Sequence, residues 1–86
     1  MRHIGEGFAT IHNETVYAEA DALVYAQADA LVYARADSMV RAEAGSTVHA
    51  EADSVVYARD GSAVYAETGS TVHAEAGATV EQASGP

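Results

Sequence analysis

Apolar positions along this chain keep a fixed beat. Val16, Val24, Val32, Val40, Val48, Val56, Val64, Val72 and Val80 stand eight residues apart without interruption. The first eight, Val16 to Val72, open units on the pattern V-(Y/H)-A-(E/R)-A-(D/G)-(S/A)-x, seen in VYAEADAL, VYARADSM, VHAEADSV, VYARDGSA and VHAEAGAT. A short exact period implies one small structural unit stacked on itself.

Periodicity decides between helix and strand. Eight residues of α-helix advance about 800°, so a valine stripe drifts by about 80° per unit and no face stays buried. Side chains of a strand alternate with period two, and eight is a multiple of two, so every valine keeps its face. Alternation puts Val48, Ala50 and Ala52 on an inner face and His49 and Glu51 on an outer one. The Asp-Ser, Asp-Ala and Gly-Ser pairs that close the units (Asp21-Ala22, Asp37-Ser38, Gly45-Ser46, Asp53-Ser54, Gly61-Ser62) supply turn chemistry. The predicted fold is all-β, a slim parallel β-solenoid of octapeptide repeats with like positions stacked about 4.8 Å apart.

Two octads per coil set Arg35 between Glu19 and Glu51, and Arg59 between Glu43 and Glu75, alternating sign up the stack. Three per coil align the more similar units, VYARADSM with VYARDGSA and VHAEADSV with VHAEAGAT, but stack like charges. Exposed like charges repel weakly in water. Two per coil is favoured and three stays open.

The ends depart from the unit. Residues 1–15 read as an irregular N-terminal cap or dimerisation segment, 16–80 as the solenoid and 81–86 as a polar tail. Thr10-Ile11-His12 looks like a displaced T-V-H unit, so the first coil is expected to be shortened or bulged. Ile4, Phe8 and Ile11 are the large apolar residues available to cover that coil. Tyr17, Leu23, Tyr25, Leu31, Tyr33 and Met39 make the N-terminal half the more apolar surface. They are expected to pack beneath the N-terminal segment or, alternatively, to form a homodimer interface.

Charge narrows the functional classes. Thirteen acidic residues face four arginines and no lysine among 86 residues, a formal net charge of −9. Such a field repels nucleic acid and anionic membranes and attracts basic surfaces. There is no cysteine, so disulfides and thiolate metal sites do not stabilise the chain. No apolar run reaches the length of a membrane span and MRHIGEGF lacks a signal-peptide core, which implies a cytoplasmic protein, in the host cytoplasm if phage-encoded.

Catalytic chemistry is not singled out. Carboxylates recur on every unit without a neighbouring base or a glycine-rich loop, and the serines lack a GxSxG setting, so no enzyme and no cofactor are expected. His49-Ala50-Glu51 and His73-Ala74-Glu75 place an imidazole beside a carboxylate, and three octads per coil would stack the two histidines within reach of a zinc ion. Ladder membership on the surface is the reading preferred, with no metal site.

Units such as GSTVHAEA and GSAVYAE over residues 45–80 resemble the octads of bacterial ice-nucleation proteins, although His49, Tyr65 and His73 stand where the second threonine of their T-x-T array belongs. Over residues 16–80 the chain is more similar to octapeptide-repeat proteins of phages and bacteria built on D/G-S-A-T-V-x-A-x units. That resemblance implies a β-solenoid and a phage origin.

Residues 16–80 hold ten acids and three arginines. Over four coils this gives one net negative charge per ~2.7 Å, against ~1.7 Å for duplex DNA. The expected function is therefore a non-enzymatic acidic rod that binds a basic nucleic-acid-binding protein, as a DNA mimic or anti-defence inhibitor of the anti-CRISPR kind. Glu19, Glu43, Glu51, Asp53, Glu67 and Glu75 are the partner-binding candidates. The alternative is a structural or self-assembling scaffold of a filament, spike or tail, with ice binding a minor third.

Overall fold

The computed structural model describes residues 2–5 and 7–82, and every element in them is a β-strand. Sheet A holds β1 (Arg2–Ile4), β3 (Thr15–Ala18), β5 (Leu31–Ala34), β7 (Thr47–Ala50), β9 (Ala63–Ala66) and β11 (Thr79–Gln82). Sheet B holds β2 (Gly7–Ile11), β4 (Ala22–Ala26), β6 (Met39–Ala42), β8 (Val55–Ala58) and β10 (Thr71–Ala74). Successive strands alternate between the sheets, and within each sheet all pairing is parallel. Val16, Val32, Val48, Val64 and Val80 stack in one column, and Val24, Val40, Val56 and Val72 in the other. The protein is a parallel β-solenoid with two octads, or 16 residues, per coil.

The corner explains why two octads close a coil. Each unit spends four residues on a strand and four on a turn. In the turn Glu51–Ser54, the Ser54 N–H donates to the Glu51 carbonyl at 3.1 Å, and Asp53 at the third place has φ 69°. That is the geometry of a closed β-turn with a left-handed third residue, the type II pattern. The position is held by Asp21, Asp29, Asp37, Asp53 or by glycine, as at Gly45 with φ 84°, because most side chains crowd the backbone there. A closed β-turn reverses the chain, so two of them bring it back to its start. Three corners would each have to bend it far less.

Corners are also bonded from coil to coil. The Asp37 N–H donates forward to the Asp53 carbonyl and the Gly45 N–H to the Gly61 carbonyl, each at 3.0 Å. Beside them Glu51 N–H donates backward to the Ala34 carbonyl at 2.8 Å. Backbone polar groups at the turns thus find partners without water.

Valine and alanine fill the interior, with Val16 to Val64 at 0–1% exposure and Ala18 to Ala66 of the same columns at 0–2%. The third expected inner residue differs. Ala52 is exposed, because the strand ends at Ala50 and the turn carries Ala52 outward. Ser54 turns inward instead, at 0% exposure, and its Oγ donates to the Glu51 carbonyl at 2.6 Å. Ser38, Ser46 and Ser62 repeat this arrangement, so the hydroxyl is buried with its hydrogen bond made.

The N-terminal segment continues both ladders. Ile4 pairs with Ala18, fourteen residues on, and Ile11 with Ala26, fifteen on. The first coil is therefore short, one residue missing from each half. The displaced T-V-H reading is corrected by the register: Ile11 occupies an alanine place, and Ala9 pairs with Val24. Large and small have exchanged columns, which conserves core volume. Ile4 and Ile11 are buried, but Phe8 is 61% exposed on the outer face and covers nothing of the open coil. At the other end β11 extends through Gln82, so Glu81 takes the outward place aligned with Tyr65. The remaining tail, 83–86, lies outside the described residues.

Candidate interaction surface

Alternation within each strand leaves one aromatic place facing outward per half-coil. On sheet A these places stack as His3, Tyr17, Tyr33, His49 and Tyr65, with ring centroids 4.9–5.0 Å apart at each step. The spacing is that of the β ladder itself, so the rings need no special device to meet. Sheet B is less regular. Phe8 meets Tyr25 at 4.5 Å and Tyr57 meets His73 at 5.0 Å, but Arg41 interrupts the column. Its guanidinium lies 5.4 Å from the Tyr25 ring centroid and donates to the Tyr25 hydroxyl at 3.4 Å. That hydrogen bond, with the Tyr25 charge behind it, raises the Arg41 pKa above its ordinary value.

Two residues beyond each ring comes the first corner residue, on the same outward side. The corner from sheet A to sheet B carries the column Glu19, Arg35, Glu51 and Glu67, with Asp21, Asp37 and Asp53 in the turn itself. The opposite corner carries Gln27, Glu43, Arg59 and Glu75. Charge is thus gathered on two edges of a slab whose broad faces are largely aromatic and aliphatic.

Ion pairing follows the 16-residue stack. Arg59 Nε stands 3.8 Å from Glu43 Oε1 and 3.7 Å from Glu75 Oε2. Arg35 Nε stands 3.8 Å from Glu19 Oε2, to which His3 Nδ1 also lies within 2.9 Å. These side chains are about one-third to three-fifths exposed, so each pair contributes less than about 1 kcal/mol.

The six carboxylates singled out from the sequence do not share one surface. Glu19, Glu51, Asp53 and Glu67 line one edge, and Glu43 and Glu75 the other. The apolar set divides as well: Tyr17, Leu31 and Tyr33 lie on sheet A, and Leu23, Tyr25 and Met39 on sheet B. The N-terminal segment meets part of this set as the next rung, His3 stacking on Tyr17 and Phe8, aligned with Leu23, lying against Tyr25, and it does not reach Leu31, Tyr33 or Met39, which lie a further rung away. Tyr17 is screened on both sides, by His3 of that segment and by Tyr33. His49 and His73 fall on opposite sheets, so the zinc pair that three octads per coil would have allowed does not form.

The sheet B face and the edge beside sheet A therefore differ in charge. A shallow groove of about 350 Å³ on sheet B is lined by Tyr57, His73 and Glu75 but also by Arg41 and Arg59. The edge beside the C-terminal ends of the sheet A strands holds six acids against Arg35 alone. His49, weighed from the sequence only as a metal ligand, and Tyr65, which the octad pattern gives no special standing, sit beside that acidic edge. The ring–x–carboxylate spacing in His49-Ala50-Glu51 and Tyr65-Ala66-Glu67 was the signal for them. Comparison with protein-family models, with curated proteins and with solved structures finds no match to the chain.

Proposed function

We propose that this protein is a non-enzymatic acidic rod that binds a basic partner protein, occupying the groove in which a nucleic-acid-binding protein holds its duplex. The observation that supports it is the placing of the carboxylates. On the edge beside the sheet A strand ends, Glu19, Glu51 and Glu67 with Asp21, Asp37 and Asp53 stand on rungs about 4.8 Å apart with Arg35 among them, while the other edge carries Glu43 and Glu75 on either side of Arg59, with Asp29 and Asp60 in its turns. A stacked edge with such an excess of negative charge is what a basic groove is built to receive. The faces between the two edges are neutral enough to contact protein without repulsion.

Capture of a purified basic DNA-processing enzyme on the immobilised protein tests this. Binding is expected at low salt and should fall steeply as salt rises, with Glu51→Gln and Glu67→Gln weakening it further. Absence of salt-sensitive capture across a panel of such enzymes would remove the proposal.

A second reading, end-to-end assembly, is favoured by the inequality of the two ends. Ile4 and Ile11 close the first coil, whereas Val72, Ala78 and Val80 are only partly buried and Ala74 is exposed in the last one described. Such an edge is a template for another strand. Sedimentation velocity over a wide concentration range separates the readings, since an assembling scaffold grows with concentration and a soluble inhibitor does not.

A further inference from the structure

We infer that the sheet A ring column and the edge beside it form a strip that reads arginine rather than lysine, centred on Tyr33, His49, Tyr65, Glu51, Glu67 and Asp53. The inference rests on the acidic-rod reading and narrows it to one edge, one face and one partner side chain.

The molecule already contains a filled example of the contact. Arg35 places its guanidinium carbon 5.5 Å from the Tyr17 ring centroid while its Nε lies 3.8 Å from Glu19 Oε2. One cation therefore touches a ring and the carboxylate two residues beyond it, one coil below. Arg41 repeats the ring half of this contact on Tyr25, and Arg59 repeats the carboxylate half between Glu43 and Glu75. Arg35 thus makes the whole contact, and Arg41 and Arg59 one half each.

The same pairing recurs farther up sheet A without an arginine to fill it. Above Arg35 the edge column continues as Glu51 and then Glu67, two carboxylates on adjacent rungs, with Asp53 in the turn between the sheets. Beside them run His49 and Tyr65, their centroids 5.0 Å apart. Tyr65 is 44% exposed, so its ring is available to a partner. On the opposite corner the equivalent run is Glu43, Arg59 and Glu75, where the cation is built in. The sheet A strip lacks its counter-charge, and the partner supplies it.

Guanidinium fits this strip better than ammonium. It is planar and can stack on a ring while its N–H groups reach two carboxylates at once. An ammonium is a compact, strongly hydrated charge that gains from the carboxylates but little from the rings. Ring contact at an exposed site is worth ~0.5–1 kcal/mol, or about a two- to five-fold change in affinity.

Fluorescein-labelled octa-arginine and octa-lysine, titrated against the full chain at low salt and followed by anisotropy, test the inference. Octa-arginine is expected to bind at least about three-fold more tightly. The double variant H49L/Y65L should abolish that preference and leave octa-lysine binding within about two-fold, whereas Tyr65→Phe, which keeps the ring, should preserve it. E51Q/E67Q should weaken octa-arginine binding about ten-fold, and E43Q/E75Q on the other edge by less than about two-fold. Circular dichroism of each variant verifies that the solenoid is intact. Equal affinity for the two peptides, or equal losses from the two edges, overturns the inference while the acidic-rod reading stands on the salt-sensitive binding of both. Failure of both peptides to bind at low salt overturns the inference and the reading together.

Discussion

Ser54 and Glu51 close their corner twice. The Ser54 N–H and the Ser54 hydroxyl both donate to the one Glu51 carbonyl, at 3.1 and 2.6 Å, and the serine is fully buried. Corresponding places elsewhere hold Ala22 and Ala30, which are equally buried. The fold therefore accepts a methyl here, and the backbone bond alone holds the turn. Ser54→Ala is expected to cost about 1 kcal/mol in urea denaturation. Ser54→Leu should cost clearly more, because the stacked interior has no room for the added volume.

The left-handed corner position makes a sharper distinction. Asp37, at φ 67°, bears a conformational cost that glycine does not. Asp37→Gly is expected to raise stability by up to about 1 kcal/mol, the gain being reduced by the freer unfolded chain. Substitution in the other sense depends on what lies opposite. A Cβ at Gly45 would meet Ala28 at an ordinary 3.4 Å, and one at Gly77 would meet the carboxylate of Asp60, an exposed side chain that can rotate away. Neither substitution meets a fixed obstacle, so Gly45→Ala and Gly77→Ala are each expected to cost about 1–2 kcal/mol, the strain of alanine at positive φ, as read by thermal melting.

Position along the stack sets the value of a valine. Val48 has coils on both sides and no exposure; Val72 is only partly buried near the open end. Val48→Ala is expected to lower unfolding free energy by about 2 kcal/mol and Val72→Ala by less than about 1 kcal/mol. Denaturant titration of the two variants at equal slope checks the ordering. Equal losses would mean that another chain or segment covers the C-terminal rung.

Electrostatics at the sheet A edge set stability against binding. Glu67→Arg would turn the run Glu19, Arg35, Glu51 into a full alternation of sign. The variant is expected to gain up to about 0.5 kcal/mol at low salt, a gain that shrinks as salt is added. The same change should weaken capture of a basic partner. Stability rising while binding falls is the signature of an edge held acidic for a partner rather than for the fold.

Much of this was legible residue by residue. The Val–x–Ala alternation fixed which side chains face inward, and the Arg35 and Arg59 placements anticipated the ion pairs that a 16-residue coil produces. Asp or Gly before Ser or Ala was recognised as turn chemistry. Its stronger meaning, that a closed reversing turn admits two sheets and not three, was present in the same residues but depends on the Glu51–Ser54 hydrogen bond. Ala52 was misplaced for a related reason: period-two alternation holds only while the chain remains extended, and the strand stops at Ala50.

By itself, the sequence determined a repeating strand unit, its inner and outer columns and its excess of negative charge, because all three are set by local spacing and composition. Which columns become neighbours was decided only in three dimensions. The turn angle summed around a coil selects the stacking partner sixteen residues away, and that choice separated Glu51 and Glu67 from Glu43 and Glu75, split the tyrosines between two faces and brought His49 beside Tyr65. Local preferences act over a few residues, whereas closure of a coil is a property of the whole turn-strand-turn path.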